Sequence, residues 1–314
     1  MADLDKKIRM IAVAGPTASG KTALGIGIAK AIGGEVISCD SMQIYKGMSI
    51  ATAAPTTEEM QDIPHHLVGF LSPDEEYSVA QFCADANKAA DQIVGRGAIP
   101  VLVGGTGLYM NSFADNITFM GSNSAQIRKQ LQDRLQSEGA EALLNELAKI
   151  DGEYAAKLHL SDTKRITRAL ELYYADGITM TEQVARSHDT PSRFDTLMIG
   201  ITFADREKLY GRINRRVDIM LQNGLLQEAE KAYLNRGRTA AQAIGHKELF
   251  DYFDGTATLD KCVERLKMQT RRYAKRQLSW FRRDERIHWL YADDQTAESL
   301  TEQAIEIIKK EWQQ

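Results

Sequence analysis

Eight consecutive residues, Gly15, Pro16, Thr17, Ala18, Ser19, Gly20, Lys21 and Thr22, read "GPTASGKT" and fit the pattern G-x-x-x-x-G-K-[ST]. The chemistry of that pattern is phosphate binding. Its glycines let backbone N–H groups turn inward around phosphate oxygens, at the positive end of the helix that follows. Lys21 brings a charge to the outer phosphate, and the Thr22 hydroxyl is the expected contact of a Mg²⁺ ion. The pattern selects a pyrophosphate without saying that it belongs to ATP. A second chemical group is Asp40 in "CDSMQIY". It closes a strand-like run, and ligands of open parallel sheets lie beyond the carboxyl ends of the strands. A carboxylate there can take a proton or a hydrogen bond from an attacking nucleophile. Capping the next turn is the other use of Asp40 and Ser41. The later run "VLVGGTG" ends in glycines, with no Asp to hold magnesium as an ordinary nucleoside triphosphatase would.

These residues need a scaffold. "IRMIAVAG" reads as a buried parallel strand, and Leu24, Ile28 and Ile32 repeat at helical spacing after the phosphate loop. "EVISC" is a second strand, Val79 to Ile93 an amphipathic helix, and "IPVLVGGTG" a third strand. Alternating strands and helices predict an α/β fold, a parallel sheet flanked by helices. From about Ser124 the runs become helical and heavily charged until "TLMIGITF" resumes the sheet at Thr196. The expected organisation is therefore a phosphate-loop core from 1–120 and 193–314, with a helical insertion over 121–192 and a helical C-terminal region.

The chain has 314 residues, 39 Lys or Arg against 43 Asp or Glu, and three scattered cysteines without a CxxC pair. Neither a disulfide framework nor a zinc knuckle is indicated, and a reducing cytoplasm is expected. No secretory leader or membrane span is read. Against the acidic balance stands "TRRYAKRQLSWFRR", Thr270 to Arg283, with six basic residues and no acid. On a helix Arg271, Arg272, Lys275, Arg276, Ser279, Arg282 and Arg283 share a broad face, which suits RNA phosphates. Tyr273 and Trp280 fall on another face and are expected to pack inward. A solvated basic helix is the plain alternative.

Together the motifs resemble one family, the tRNA dimethylallyltransferases, also called tRNA isopentenyltransferases. The matching stretches are "GPTASGKT" at 15–22, "DSMQIY" at 40–45, "PHHLV" at 64–68 and "GGTGLY" at 104–109. "KRITRALE" at 164–171, "AIGHKEL" at 243–249 and "RRYAKRQLSWFR" at 271–282 complete the series. They run in family order over nearly the whole chain. Two positions depart: Ala54 stands where the family usually has lysine, and His246 where tyrosine is common. No C-terminal zinc finger of the eukaryotic type is present, which looks bacterial.

The resemblance implies transfer of a dimethylallyl group from its diphosphate to the exocyclic N6 amine of an adenosine beside the anticodon, tRNA position 37. It implies Asp40 as the proton acceptor, with Thr106 at the same centre and Ser41, Met42 and Gln43 against the base or its neighbours. Further tRNA contacts carried over are Arg128, Lys164, Arg165, Ile166, Thr167, Arg168, Ile244, Gly245, His246 and Lys247. In the basic helix they are Arg272, Lys275, Arg276, Gln277, Ser279, Trp280 and Arg282. The target base has to leave the anticodon-loop stack. The expected partners are the anticodon stem-loop and dimethylallyl diphosphate, with Mg²⁺, for a monomer. Salt-bridged helix surface is the alternative for Lys164 to Arg168, given Asp162 and Glu171. His65 and His66 are read as structural or pocket residues, since adjacent histidines point apart. Three rival readings are a phosphate-loop small-molecule kinase, an isopentenyltransferase acting on free AMP, and an RNA-binding module without catalysis.

Overall fold

The structure, a computed structural model, describes residues 7–119, 124–187, 190–234 and 243–313. It separates into two compact units, residues 1–114 with 193–314, and residues 115–192. The expected boundary at 120–121 lies outside the described residues.

The first unit is built on six parallel strands, β1 (Ile8–Ala14), β2 (Gly34–Cys39), β3 (His65–His66), β4 (Ile99–Gly104), β5 (Phe194–Thr202) and β6 (Ile287–Tyr291). Their spatial order is β3-β2-β4-β1-β5-β6. β1 sits between β4 and β5, pairing Ile11 with Val101 on one side and with Leu197 on the other. Strands buried on both faces are apolar without alternation, which is why "MIAVA" and "VLV" stood out in the sequence. β3 and β6 did not: two residues carry no periodicity, and "IHWLY" lies half open at the sheet edge.

Alternate residues of β1 feed two separate cores. Ile11 and Val13 pack with Leu24, Ile28, Ile213 and Leu300, whereas Met10, Ala12 and Ala14 pack with Phe82, Ile93, Met110 and Phe113. The helices that supply these side chains before the second unit are α1 (Lys21–Ile32), the short α2 (Ser49–Thr52) and α3 (Thr57–Met60), α4 (Val79–Gly95) and α5 (Gly107–Ala114).

The second unit is helical throughout its described part: α6 (Ala125–Ile150), α7 (Gly152–Ala155), α8 (Thr163–Asp176) and α9 (Met180–Arg186). Leu131, Leu143, Leu147, Ile166 and Leu170 form its core. α6 breaks at Gly139, whose φ of 84° and ψ of 167° lie outside any helix. Arg134 bridges the break, reaching Glu138 at 2.8 Å and Glu146 at 2.6 Å.

The first unit then resumes with α10 (Arg206–Gln222), α11 (Leu225–Leu234), α12 (Phe250–Phe253), α13 (Leu259–Phe281) and α14 (Ala297–Trp312). Val217, Leu225, Leu249, Cys262 and Leu266 form a further apolar cluster, with Ile50 and Ala51 of α2 packed on it. Among the described residues no helix is long and apolar enough to cross a membrane.

Candidate active site

At the carboxyl ends of β1, β2 and β4 the first unit encloses a pocket of about 360 Å³. Three of the eight phosphate-loop residues line it: Thr17, Lys21 and Thr22. Gly20 precedes α1 as its N-cap and supplies no side-chain cap, so the helix's first N–H groups are left unclaimed by a capping side chain. The loop is held from outside. Arg212 Nε donates to Ala18 O at 2.9 Å, and Ala18 itself has a φ of 62°, a left-handed conformation that a non-glycine residue rarely adopts. Lys21 Nζ donates to Pro16 O at 2.7 Å. Burial pulls its ammonium down to about 7, helped by the guanidinium of Arg216 and opposed by the Asp40 carboxylate.

Asp40 lines the same pocket and serves as a cap at the same time. Its Oδ1 accepts the N–H of Met42 at 2.9 Å and of Gln43 at 3.3 Å, which turns the chain away from β2. No hydrogen bond claims Oδ2 among the described residues. The two uses foreseen for Asp40 are therefore compatible, one oxygen for each. Thr106 stands just behind the wall: its Oγ1 accepts the Ser41 N–H at 3.1 Å, and Tyr273 is in hydrogen-bonding reach of it. Burial, with the Asp40 charge second, raises the Tyr273 phenol.

Apolar side chains form one flank of the remaining wall. Val36, Met42, Ala51, Ala53, Ile213 and Val217 give a greasy flank beside the charged one. Arg216 was not foreseen in the sequence. It stands on α10 between Ile213 and Val217, so a guanidinium is carried on the face that otherwise packs inward. Burial lowers it, and Asp40 and Glu59 act against that. An arginine at an apolar-face position, Ile213–Arg216–Met220, was the available signal. His65 also lines the pocket, with Nδ1 2.8 Å from Ile63 O.

Several residues expected to meet RNA are placed otherwise. Gln277 is buried, 5% exposed, and belongs to the pocket wall. His246 is fully buried, its Nε2 2.9 Å from Glu228 Oε1, so its side chain has no surface for RNA. Burial acts to raise the Glu228 carboxyl, but the His246 bond and the Ala51 and Ile50 N–H groups outweigh it and hold it low. Ile244, Gly245 and Lys247 beside it do line the pocket. Gln43 spends its amide on Ser38, Thr52 and Ala53. In the second unit Ile166 is fully buried in the core, and the Thr167 hydroxyl bonds Thr163 O of its own helix. Arg128 and Arg168 both reach the buried Glu171 at 3.1 Å, and Arg165 lies 3.7 Å from Asp162. Lys164 is exposed.

The basic face of α13 is exposed at Arg272, Lys275, Arg276 and Ser279, and Arg282 continues it past the helix end. Arg271 is turned to α10 instead, 2.6 Å from Asn214 Oδ1. Trp280 is 41% exposed, which corrects the expectation that it packs inward. Its indole lies against Gly107, where a Cβ would fall 2.2 Å from the ring. Lys275, Arg276, Ser279, Trp280 and Arg283 frame an open hollow of about 250 Å³. Arg276 lines both this hollow and the inner pocket, and its guanidinium stands over the Tyr273 ring at 5.7 Å.

Magnesium has few protein partners here. No group of three or more His, Cys, Asp or Glu among the described residues could hold a metal ion. The Thr22 hydroxyl and the Asp40 carboxylate are among the oxygen groups lining the pocket, and they fit a hard ion carried in largely by substrate phosphates.

The profile of the family described as "IPP transferase" matches residues 43–284, and that of "Isopentenyl transferase" matches residues 8–70. The chain is 45% identical over 289 residues to the tRNA dimethylallyltransferase of Acetivibrio thermocellus, covering 91% of this chain and 92% of that protein. It is 44% identical over 291 residues to that of Halalkalibacterium halodurans, covering 92% of each. Among solved structures, the full-length tRNA isopentenylpyrophosphate transferase of Bacillus halodurans is similar with a TM-score of 0.72 and 41% identity over 97% of both chains. A eukaryotic dimethylallyltransferase, solved in snapshots acting on tRNA, gives 0.83 with 32% identity over 95% of this chain and 78% of that one.

Proposed function

This chain belongs to the IPP transferase family, and from that premise we propose how its pocket prenylates tRNA. The protein is a transferase that moves a dimethylallyl group from dimethylallyl diphosphate to tRNA. The observation that carries the reading is a single pocket with three kinds of wall. Lys21 and Arg216 offer charge, and Thr22 with the uncapped N–H groups at the start of α1 offers donors, to a diphosphate. Val36, Ile213 and Val217 suit a branched hydrocarbon, and Asp40 faces the space between.

The acceptor is the N6 amine of adenosine 37, brought in flipped from the anticodon loop. The amine lone pair forms the bond to C1 of the dimethylallyl group as the C1–O bond breaks and its electrons leave with the diphosphate. The amine proton passes to Asp40 Oδ2. Lys21, Arg216 and the loop N–H groups stabilise the charge that grows on the leaving group. Mg²⁺, when bound, neutralises diphosphate charge beside Thr22. The base enters along the side of the pocket where Arg276 leads outward to the exposed face of α13, and that face holds the anticodon stem by its phosphates. The protein works as a cytoplasmic monomer.

Incubation with labelled dimethylallyl diphosphate and either bulk tRNA, AMP or ATP tests this. Label should enter tRNA alone, with diphosphate released and no ATP consumed. Label in AMP, or phosphate transfer from ATP, would replace the reading with one of its rivals.

A further inference from the structure

We propose that Gln277 is a positioning residue that sets the diphosphate cradle and the turn after β4, which carries Thr106, in register with the RNA-facing helix. One buried amide makes both connections. Its Oε1 accepts the Thr17 N–H at 2.8 Å, and its Nε2 donates to Gly105 O at 2.9 Å. Thr17 belongs to the phosphate loop and lines the pocket. Gly105 precedes Thr106, whose Oγ1 fixes Ser41 beside Asp40. Gln277 itself rides on α13, which exposes Arg272, Lys275 and Arg276 within a turn and a half of it. The side chain therefore touches the leaving-group end and the nucleophile end of the reaction, and it is mounted on the element that meets RNA.

The fit leaves no slack. A Cβ on Gly105 would fall 2.2 Å from Gln277 Nε2, and one on Gly107 would fall 2.2 Å from the Trp280 ring. Both glycines allow α13 to approach the turn after β4 closely enough for the amide to span it. The phosphate loop also depends on outside struts, since Ala18 is held at a φ of 62°. Reacting atoms displaced by about 1 Å cost on the order of a hundredfold in rate.

The inference rests on the tRNA prenylation proposed above. It is tested with full-length protein carrying Gln277→Leu and, separately, Gly105→Ala, which pushes the same amide from the other side. The expected result for each is a kcat per folded molecule lowered roughly ten- to a hundredfold. The tRNA Kd should stay within about twofold and keep the wild-type salt slope, because the exposed cations are untouched. Weakened binding of inorganic pyrophosphate should accompany the loss. Equal weakening of tRNA binding would make Gln277 an RNA contact and overturn the proposal. So would near-normal kcat in both variants, or failure of both to fold, which would leave only a structural role. Absence of transfer by the wild type would instead remove the functional reading itself.

Discussion

Asp40 divides its work between two oxygens, and that division makes its substitution informative. An Asn at position 40 can still accept the Met42 and Gln43 N–H groups through its own Oδ1. It can no longer take a proton. Asp40→Asn is therefore expected to fold normally, to bind tRNA with near wild-type affinity, and to lose on the order of a hundredfold or more in kcat. Single-turnover transfer of labelled dimethylallyl groups measures it; near-normal turnover would reduce Asp40 to a cap. Lys21 offers a second test. Its pKa of about 7 in the free pocket leaves it mostly neutral at pH 8. A bound diphosphate favours the ammonium, so binding should take up most of a proton at pH 8 and little at pH 6. Calorimetry of pyrophosphate binding in buffers of different ionisation enthalpy reads this directly, and Lys21→Arg, charged throughout, should abolish the uptake difference. The same depression affects stability. Because the unfolded lysine binds its proton more tightly, this group's contribution to stability rises with pH between about 7 and 10.5.

At the scale of elements, α13 carries three different tasks on three faces. Arg272, Lys275 and Arg276 are exposed, Gln277 is buried against two loops, and Tyr273 stands at the inner pocket. Arg272 and Arg282 touch only the outer side, whereas Arg276 also lines the pocket. The double variant Arg272→Gln, Arg282→Gln should therefore flatten the log–log salt dependence of tRNA affinity by roughly one unit per lost phosphate contact. Its kcat at saturating tRNA should change little, while Arg276→Gln should affect both. An unchanged slope would leave these side chains as solvated surface. Trp280→Ala removes the indole packed on Gly107 and is expected to lower stability by about 1 kcal/mol or more, read by thermal unfolding. A change within about 0.5 kcal/mol would mean that the indole does little to hold α13 to the turn after β4.

The same helix explains what could be read from the sequence. Its helical period and the six basic residues between Thr270 and Arg283 are local properties, and so are the phosphate loop and the carboxylate at the end of β2. Which face of α13 meets protein is decided by the glycines at 105 and 107, some 170 positions away. For that reason Gln277, expected among the RNA contacts, is buried, and Trp280, expected to pack inward, is partly exposed beside Gly107. Arg216 was legible in principle, as a cation on an apolar face. The burial of His246 was not, because this turn residue's partner Glu228 lies on α11 and is itself engaged by Ile50 and Ala51. β3, at two residues, left no pattern to find.

For the whole molecule, the consequence of the strand order lies in synthesis. β1 leaves the ribosome first, yet its neighbours are β4, which ends at Gly104, and β5, which does not begin until Phe194. The first strand of the sheet must wait for the chain to grow past residue 202 before its second edge is covered. The helices between, from Ala125 to Arg186, have a core of their own in Leu131, Leu143, Leu147 and Ile166. They are made while the sheet is still half built and are free to fold in that interval. The sheet then closes late, through contacts distant in sequence that are slow to find. Throughout that time "RMIAVAG", an apolar strand with one unpaired edge, is the segment with most need of a chaperone.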